Sequence, residues 1–276
     1  MSKTILITGA TDGIGLLTAE KLIEQGHQLI LHGRNSEKLA AVKATLSQRT
    51  TSDQKASVGQ IDSVIADLSD LNQVQQLANT LKDRYSHLDV IINNAGIYKT
   101  NQPITADGLD VRFVVNTLSP YLLTQQLRPI MNDTSRVVNL SSAAQAPVNL
   151  DALIGETHLP DQMAAYAQSK LAITMWTRTL AEQWKGSGPA IIAVNPGSLL
   201  ASKMVKEGFG VAGKDLSIGA DILIKAALSE EFENASGRYF DNDIEQFAPP
   251  HSDGLNDQKC QDVVDVIERV IGRFVD

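Results

Sequence analysis

The chain has 276 residues, of which 43% are hydrophobic and 20% are charged. This is the composition of an ordinary globular domain, and it excludes a disordered, collagen-like or coiled-coil chain. The 24 basic and 32 acidic side chains leave a net charge of −8, which argues against nucleic acid or an anionic membrane surface as the main partner.

Strand-like and helix-like segments alternate along the chain. The predicted strands are 4–8, 28–32, 64–66, 90–93, 136–140, 190–194 and 238–240. The predicted helices are 13–25, 36–46 with Ser36 as N-cap, 69–85, 105–116, 120–131, 166–184, 214–228 and 259–271, and the polar stretch 48–57 is predicted as a loop. Continuously apolar strands separated by helices are typical of a parallel sheet covered on both faces. The pattern therefore predicts one α/β domain over residues 1–276, a doubly wound, Rossmann-like sheet.

Cysteine usage and hydropathy bear on the compartment. The single cysteine, Cys260, cannot form an internal disulfide, which favours a reducing compartment. No apolar run approaches the ~18 residues of a membrane span, and the chain starts with a strand rather than a signal peptide. We therefore expect a cytoplasmic protein with no membrane partner. The five histidines show no metal-ligand spacing, so no metal site is predicted.

A glycine-rich turn lies between the first predicted strand and the first helix, in the sequence Thr8-Gly9-Ala10-Thr11-Asp12-Gly13-Ile14-Gly15. Gly9 would permit the tight turn, Gly13 would let the backbone approach a pyrophosphate, and Gly15 would let the helix pack closely. A helix N-terminus in this place attracts phosphate. Glycine spacing alone also suits a connector that binds nothing, but its position after the first strand favours a dinucleotide site.

The spacing G-x-x-x-G-x-G after a threonine resembles the short-chain dehydrogenase/reductase family. Further matches follow in the family's order: Asn93-Asn94-Ala95-Gly96, Asn116, Ser142, Tyr166-Ala167-Gln168-Ser169-Lys170 and Pro196-Gly197. The resemblance covers roughly residues 3–240 and implies a nicotinamide dinucleotide cofactor. The cofactor-binding residues it implies are Gly9, Thr11, Asp12, Gly13, Ile14, Gly15, Arg34, Asp67, Leu68, Asn94, Ala95, Gly96, Tyr166, Lys170, Pro196, Gly197 and Leu199.

The end of the second predicted strand indicates which dinucleotide is bound. An acid about 20 residues past the glycine turn would bind the ribose 2′-hydroxyl and repel a 2′-phosphate. Here the strand ends in His32-Gly33-Arg34-Asn35, and the planar, permanently charged Arg34 suits a phosphate. NADP is favoured and NAD is possible, because Arg34 could also stack on adenine and Asp12 adds negative charge nearby.

The candidate catalytic residues are Asn116, Ser142, Tyr166 and Lys170. Tyr166 and Lys170 are four residues apart and share one helix face. A free phenol is only about 0.1% ionised at pH 7, and a neighbouring ammonium is expected to lower its pKa. Tyr166 would then act as general acid/base. The resemblance implies that Ser142, rather than the adjacent Ser141, binds the reacting oxygen, and that Asn116 orders a water linked to Lys170.

Three segments are expected around the substrate. The segment 143–165 is longer than in compact family members and is similar in length to the retinol-dehydrogenase-like branch, which handles apolar carbonyl compounds. The loop at about 199–213 resembles the family's mobile substrate loop, and 240–247, at the start of a C-terminal extension at about 241–276, would close the far side of the pocket. Surface packing is the alternative for all three segments.

The predicted function is hydride transfer between nicotinamide and a carbonyl or alcohol of a small, apolar molecule. A non-catalytic NADP-binding redox sensor is the alternative, and an isomerase or dehydratase on the same scaffold is a third class. In the family the helix that carries Tyr166 commonly packs against a partner subunit, so the resemblance implies a homodimer or homotetramer. Trp176 and Trp184 on that helix are expected in the core or at such an interface.

Overall fold

Apolar side chains fill both faces of the central strands. Ile5, Leu6 and Ile7 are all fully buried, with Leu6 in one hydrophobic core and its two neighbours in the other. Successive side chains of a strand point to opposite faces, so an uninterrupted apolar strand requires a layer of helices on each side. The run of apolar residues in the sequence is thus explained by two cores rather than one.

The computed structural model describes residues 2–52 and 59–274. Within these ranges eight strands form one sheet in the order β3-β2-β1-β4-β5-β6-β7-β8. The strands are β1 Thr4–Ile7, β2 Gln28–Gly33, β3 Ile61–Ile65, β4 Val90–Asn93, β5 Arg136–Leu140, β6 Ala190–Asn195, β7 Tyr239–Asp241 and β8 Gln246–Phe247. All pairs are parallel except β7 with β8. The predicted single-domain, doubly wound α/β fold is confirmed.

The helices cover the two faces of the sheet, with α1, α2 and α9 on one and α3, α5, α7 and α10 on the other. Their bounds are α1 Gly13–Glu24, α2 Ser36–Ser52, α3 Leu71–Arg84, α4 Val111–Phe113, α5 Ser119–Leu127, α6 Leu150–Leu153, α7 Gln162–Gln183, α8 Lys203–Phe209, α9 Leu216–Leu228 and α10 Asp257–Ile271. A π-helical turn, Val114–Leu118, joins α4 to α5. None of the described helices is long and apolar enough to cross a membrane.

Several predicted boundaries were wrong because side-chain caps start the helices elsewhere. Asp110 accepts a hydrogen bond from the backbone of Arg112 and starts α4, so 105–110 is a turn rather than a helix. Asp161 caps α7, which begins four residues before Tyr166. Asn35, not Ser36, accepts a bond from the Lys38 N–H at 2.8 Å. The predicted loop 48–57 is helical as far as 52, and 53–57 lie outside the described residues.

The C-terminal helix α10 packs along α7 and α6. The hydroxyl of Tyr121 on α5 donates to Glu268 of α10 at 2.8 Å, and Trp176 on α7 is fully buried against Tyr121. The chain's own α10 therefore covers one side of α7, the helix that the resemblance expects to pack against a partner subunit. A homodimer or homotetramer stays a prediction and would need a surface other than the one that α10 covers.

Candidate active site

The glycine turn takes the backbone shape that its sequence predicts. Gly9 and Gly13 have φ values of +66° and +53°, a region that other residues rarely adopt. A Cβ on Gly15 would lie 2.4 Å from the Asn94 amide nitrogen and from the Gly9 carbonyl oxygen, so α1 can approach the turn only through a glycine. Asn94 donates to the carbonyls of Thr8 at 2.8 Å and Gly9 at 3.1 Å. The residue expected beside a ribose thus also fixes the turn.

His32, at the end of β2, forms a hydrogen bond with the glycine turn, and it is not among the predicted site residues. Its Nδ1 accepts the Gly9 N–H at 3.3 Å, and its Nε2 lies 3.0 Å from the Ala66 carbonyl. Burial lowers the pKa of His32 to about 4, so the ring is neutral at physiological pH. The two contacts assign the proton to Nε2. A histidine at a strand end is commonplace, and its sequence position alone carries no signal of this role.

A cavity of about 1230 Å³ runs along the carboxyl edge of the sheet. The predicted site residues that line it are Gly9, Thr11, Asp12, Gly13, Ile14, Arg34, Asp67, Leu68, Asn94, Ala95, Gly96, Tyr166, Lys170 and Pro196. The predicted residues outside its lining are Gly15, Asn116, Ser142, Gly197 and Leu199. The loops after β2 and β6 are four strands apart, a span of ~19 Å at the usual spacing. This edge, where the strand order reverses, is the usual dinucleotide position in such sheets.

One end of the cavity, called the cationic end after Arg34 and Lys38, also has the carboxylates of Asp12, Glu37, Asp67 and Asp70 in its lining. Arg34 is exposed and lines it together with Lys38. The Lys38 ammonium lies 2.8 Å from the Asp12 carboxylate, and this contact holds the pKa of Asp12 below its usual value. The negative charge that counted against a 2′-phosphate is therefore paired with a cation. Asp67, on the neighbouring loop, accepts from the Ser69 N–H at 2.9 Å and hydroxyl at 2.8 Å.

The other end of the cavity holds Tyr166 and Lys170. The Lys170 ammonium donates to the Leu140 carbonyl at 2.7 Å and lies 5.7 Å from the centroid of the Tyr166 ring. Burial lowers the pKa of Lys170 to about 8. Burial also raises the pKa of Tyr166, and a hydrogen bond with Ser142 only partly opposes it. The expectation that Lys170 lowers the pKa of this phenol is not met, because burial dominates and the ammonium is directed at a backbone carbonyl.

The two serines after β5 differ in their surroundings. Ser141 is buried, and its hydroxyl lies 3.0 Å from the Lys170 carbonyl and 2.7 Å from the Thr174 hydroxyl. Ser142 forms the side-chain hydrogen bond with Tyr166, and its oxygen also accepts the Ala144 N–H at 3.1 Å. Ser141 therefore holds β5 to α7, while Ser142 is the serine next to the phenol.

Asn116 lies within the π-helical turn, a feature found frequently at functional sites. Its amide nitrogen donates to the Ile97 carbonyl and to the Ser169 hydroxyl, both at 2.9 Å. Its amide oxygen accepts the Ile97 N–H at 2.8 Å. Both side-chain donors are thus in use within the protein. This side chain ties the segment after β4 to the helix of Tyr166.

The wall beyond Tyr166 comes from a segment with no predicted site residue. Residues 97–100, 102 and 104–107 and part of α8 line the cavity there. The ring of Tyr98 lies 5.2 Å from the ring of Tyr166, centroid to centroid. A Cβ on Gly208 of α8 would lie 2.7 Å from the Tyr98 ring, so the helix backbone rests directly on that ring. Tyr98 therefore stands between α8 and the candidate catalytic tyrosine.

Two of the three expected substrate segments lie elsewhere. The described cavity has no lining residue from 143–165, because Ala152 and Leu153 are buried in the core next to α10. No residue of 240–247 lines it either, since Phe240 and Phe247 pack on Phe232. The third segment does contribute through 202–204 and 207. Within the described ranges no group of three or more His, Cys, Asp or Glu residues could hold a metal ion.

Comparisons with known proteins agree with this geometry. A sequence model of the short chain dehydrogenase family matches residues 3–209. Human retinol dehydrogenase 13 is 31% identical over 265 residues, covering 90% of this chain and 78% of that protein. A structure from Mycobacterium paratuberculosis has a TM-score of 0.78 at 27% identity, covering 98% of this chain and 93% of that one. A short chain dehydrogenase from Shigella flexneri 2a, complexed with NADP, has a TM-score of 0.67 at 26% identity, covering 87% and 96%. The chain belongs to the short-chain dehydrogenase/reductase family, the oxidoreductases of alcohol and carbonyl groups.

Proposed function

We propose that the protein is an NADP-dependent oxidoreductase of a small, apolar carbonyl compound or alcohol. The observation that carries this proposal is a single cavity with Arg34 and Lys38 at one end and Tyr166 and Lys170 at the other. The spacing of the two ends along the sheet edge suits an extended dinucleotide, and the N-terminus of α1 opens on the cavity between them through Gly13 and Ile14.

The end of the cavity that holds Tyr166 and Lys170 is called the reaction end, and each of its residues has a proposed role. NADP, when bound, supplies or accepts the hydride. Tyr166 donates a proton to the substrate oxygen in reduction and accepts it in oxidation, and Ser142 binds the same oxygen. Lys170 holds a buried positive charge that favours the phenolate once its ammonium turns toward the site. Asn116 positions α7 through Ser169.

The preference for NADP over NAD is supported by charge. A 2′-phosphate beside Arg34 would gain charge-assisted hydrogen bonds, and Lys38 neutralises the nearby Asp12 carboxylate. The Shigella relative was solved as an NADP complex. The cofactor half that carries the 2′-phosphate would therefore lie at the end of β2, with Asp67 and Leu68 beside the adenine.

The substrate is expected to be apolar next to Tyr166. The wall there includes Ile97, Tyr98, Val111, Val115 and Met204. The human relative is named for retinol, a largely apolar alcohol. A cytoplasmic location remains part of the proposal, because Cys260 is a buried free thiol of the kind that a reducing compartment preserves.

A panel of aldehydes and ketones, assayed at 340 nm with NADPH and NADH in parallel, tests the function. We expect turnover with apolar carbonyl compounds and a preference for NADPH. Tyr166→Phe should lower kcat by roughly 10²- to 10⁴-fold, because the ring keeps its packing but can no longer transfer a proton. Tight binding of NADPH without turnover of any compound would favour the redox sensor, and an unimpaired Tyr166→Phe enzyme would remove the general acid/base from the mechanism.

A further inference from the structure

The last residue of β7 and the two residues after it, Asp241–Asp243, form a turn that contacts the loop that follows β6. Asp241 accepts a hydrogen bond from the Asn195 amide at 2.8 Å. Asn242 donates two hydrogen bonds to the loop. Its backbone N–H donates to the Asn195 carbonyl at 3.2 Å, and its side-chain amide donates to the Pro196 carbonyl at 3.0 Å. The turn lies beyond the segment 3–209 that the family model matches.

Asp243 makes the densest set of these contacts. Its carboxylate accepts the Ser198 N–H at 2.8 Å, the Ser198 hydroxyl, and the Asn195 amide at 2.9 Å. The Lys214 ammonium lies 3.8 Å away. Burial opposes ionisation, but the hydrogen bonds from Ser198 and Asn195 and the charge of Lys214 together keep the pKa of Asp243 below its usual value. Three donors therefore converge on an ionised carboxylate, the stronger kind of hydrogen bond.

The loop that follows β6 has unusual backbone angles, which these hydrogen bonds help to hold. Gly197 has a φ of +117° and Leu199 a φ of +55°. A leucine in the left-handed region is uncommon and is retained where the surroundings determine it. Because Leu199 directly follows Ser198, the bonds from Asp243 act on the residue between the two unusual conformations. Without them the loop could relax toward ordinary backbone angles.

The position of the loop makes its shape relevant to the reaction. Leu140 of β5 pairs with Val194 of β6, so the loop after β6 lies beside Ser142 and the carbonyl that Lys170 contacts. Pro196 lines the cavity at this end. Arg34 follows β2, which is four strands away in the sheet. A change in this loop should therefore alter ligand binding at the reaction end of the cavity and not at the cationic end.

We propose that Asp243 is a positioning residue that sets the loop Asn195–Ser198 against the nicotinamide half of the cofactor. This inference rests on the proposed function, namely that the cavity binds NADP. The carboxylate would not touch the cofactor. It would act through the loop, by holding Pro196 and the following backbone in the shape that the nicotinamide half meets.

The test compares two probes of the same cavity in the full chain. NADPH reaches both ends, whereas adenosine 2′,5′-bisphosphate fills only the cationic end. For Asp243→Asn we expect the Kd of NADPH to rise by roughly 10- to 100-fold, the equivalent of losing hydrogen bonds to a charged group. The Kd of the bisphosphate should stay within about 2-fold of the wild type. Calorimetric titration measures both constants without any turnover.

Three control variants make the comparison decisive. Glu245→Gln is the same acid-to-amide change on the same exposed turn and should leave both constants unchanged. Ser198→Ala removes a donor from the other side of the contact and should reproduce part of the Asp243→Asn effect, without adding to it in the double variant. Arg34→Ala should weaken both probes together. Equal losses for both probes in Asp243→Asn, or no loss, would overturn the inference. A wild type that binds neither probe would instead overturn the proposed function.

Discussion

Lys170 is an ammonium group held almost entirely away from water. It is 4% exposed, and the hydrogen bond to the Leu140 carbonyl replaces part of its lost hydration. Burial lowers its pKa to about 8, so it is mainly protonated at neutral pH. A buried charge that opposes folding is expected where its role is in the reaction rather than in stability.

The free-energy cost of burying the Lys170 ammonium is measurable as a pH dependence of stability. The folded pKa of about 8 lies below the ordinary value of 10.5, so the unfolded chain binds more protons between these values and the wild type becomes more stable as pH rises through that window. Lys170→Met removes the effect. The stability of the variant relative to the wild type should fall by about 2–3 kcal/mol between pH 7 and pH 10.

Urea unfolding at both pH values measures the difference. Lys206→Met, which removes an exposed ammonium on α8, is the matched control for the loss of one lysine. A stability difference between Lys170→Met and the wild type that stays constant across this range would show that Lys170 is not shifted. Catalysis should be lost in the variant at every pH.

At the residue scale, the sequence predicted which side chains meet but not how they interact. The spacing of Tyr166 and Lys170 places both on one face, which the structure shows lining one cavity. It could not reveal that the Lys170 ammonium reaches the Leu140 carbonyl, because that contact joins α7 to β5. His32 was missed for a similar reason, since its partners Gly9 and Ala66 follow two other strands.

At the scale of single elements, α8 is a seven-residue helix whose backbone at Gly208 lies against an aromatic ring. The absence of a side chain at Gly208 lets the helix lie on Tyr98, and Tyr98 lies against Tyr166. Besides the residues of α8 that line the cavity directly, this ring links the helix to the reaction end. Movement of α8 should be transmitted to the space that the substrate occupies.

Gly208→Ala tests this link. A new Cβ would lie 2.7 Å from the Tyr98 ring, and pushing the ring toward Tyr166 would leave less room for substrate. We expect kcat/KM for a bulky apolar ketone to fall by roughly 10-fold or more relative to a small aldehyde, the scale of a misfitted methyl group. The Kd of NADPH should not change.

Lys206→Ala is the control here, because it alters an exposed position of α8. Equal losses for the bulky and the small substrate would contradict the link and indicate a general disturbance of the helix. A gain for the bulky substrate would show that the ring moves away from Tyr166 instead.

The elements around the substrate were the least predictable from sequence. The length and apolar residues of 143–165 suggested a pocket wall, but the same properties suit α6, which contributes Ala152 and Leu153 to the core. Apolar content marks burial and does not distinguish a cavity wall from a core contact. The strands were predicted better, because burial on both faces leaves a continuous apolar run that needs no tertiary information.

At the scale of the whole molecule, α10 completes the hydrophobic core that contains Leu6. Its buried face includes Val263, Val264, Ile267 and Val270, and it packs on the helix that carries Tyr166. The segment 259–271, predicted as a helix, has an amphipathic pattern, and such a pattern requires an apolar surface beneath the helix. The pattern could not reveal which surface the apolar face of α10 packs on, because any apolar surface, including that of a partner subunit, would suit it.

Ile267→Ala should therefore destabilise the whole fold. Ile267 is fully buried, and such truncations lower the free energy of unfolding by about 2–5 kcal/mol. Thermal or urea unfolding measures the loss. Leu255→Ala, at a side chain that is 46% exposed just before α10, is the control and should change stability by less than about 1 kcal/mol. A loss in the control as large as that in Ile267→Ala would mean that α10 is not specifically docked.

The turn Asp241–Asp243 holds a loop that precedes it by more than forty positions in the printed sequence. During translation, the glycine turn, Tyr166 and β6 leave the ribosome before this turn is made. Until β7 arrives, β6 is an unpaired edge, which is a binding target for chaperones and a risk for aggregation. We expect a nascent chain to assemble most of the cationic end first and a properly shaped reaction end only after residue 243 has been synthesised.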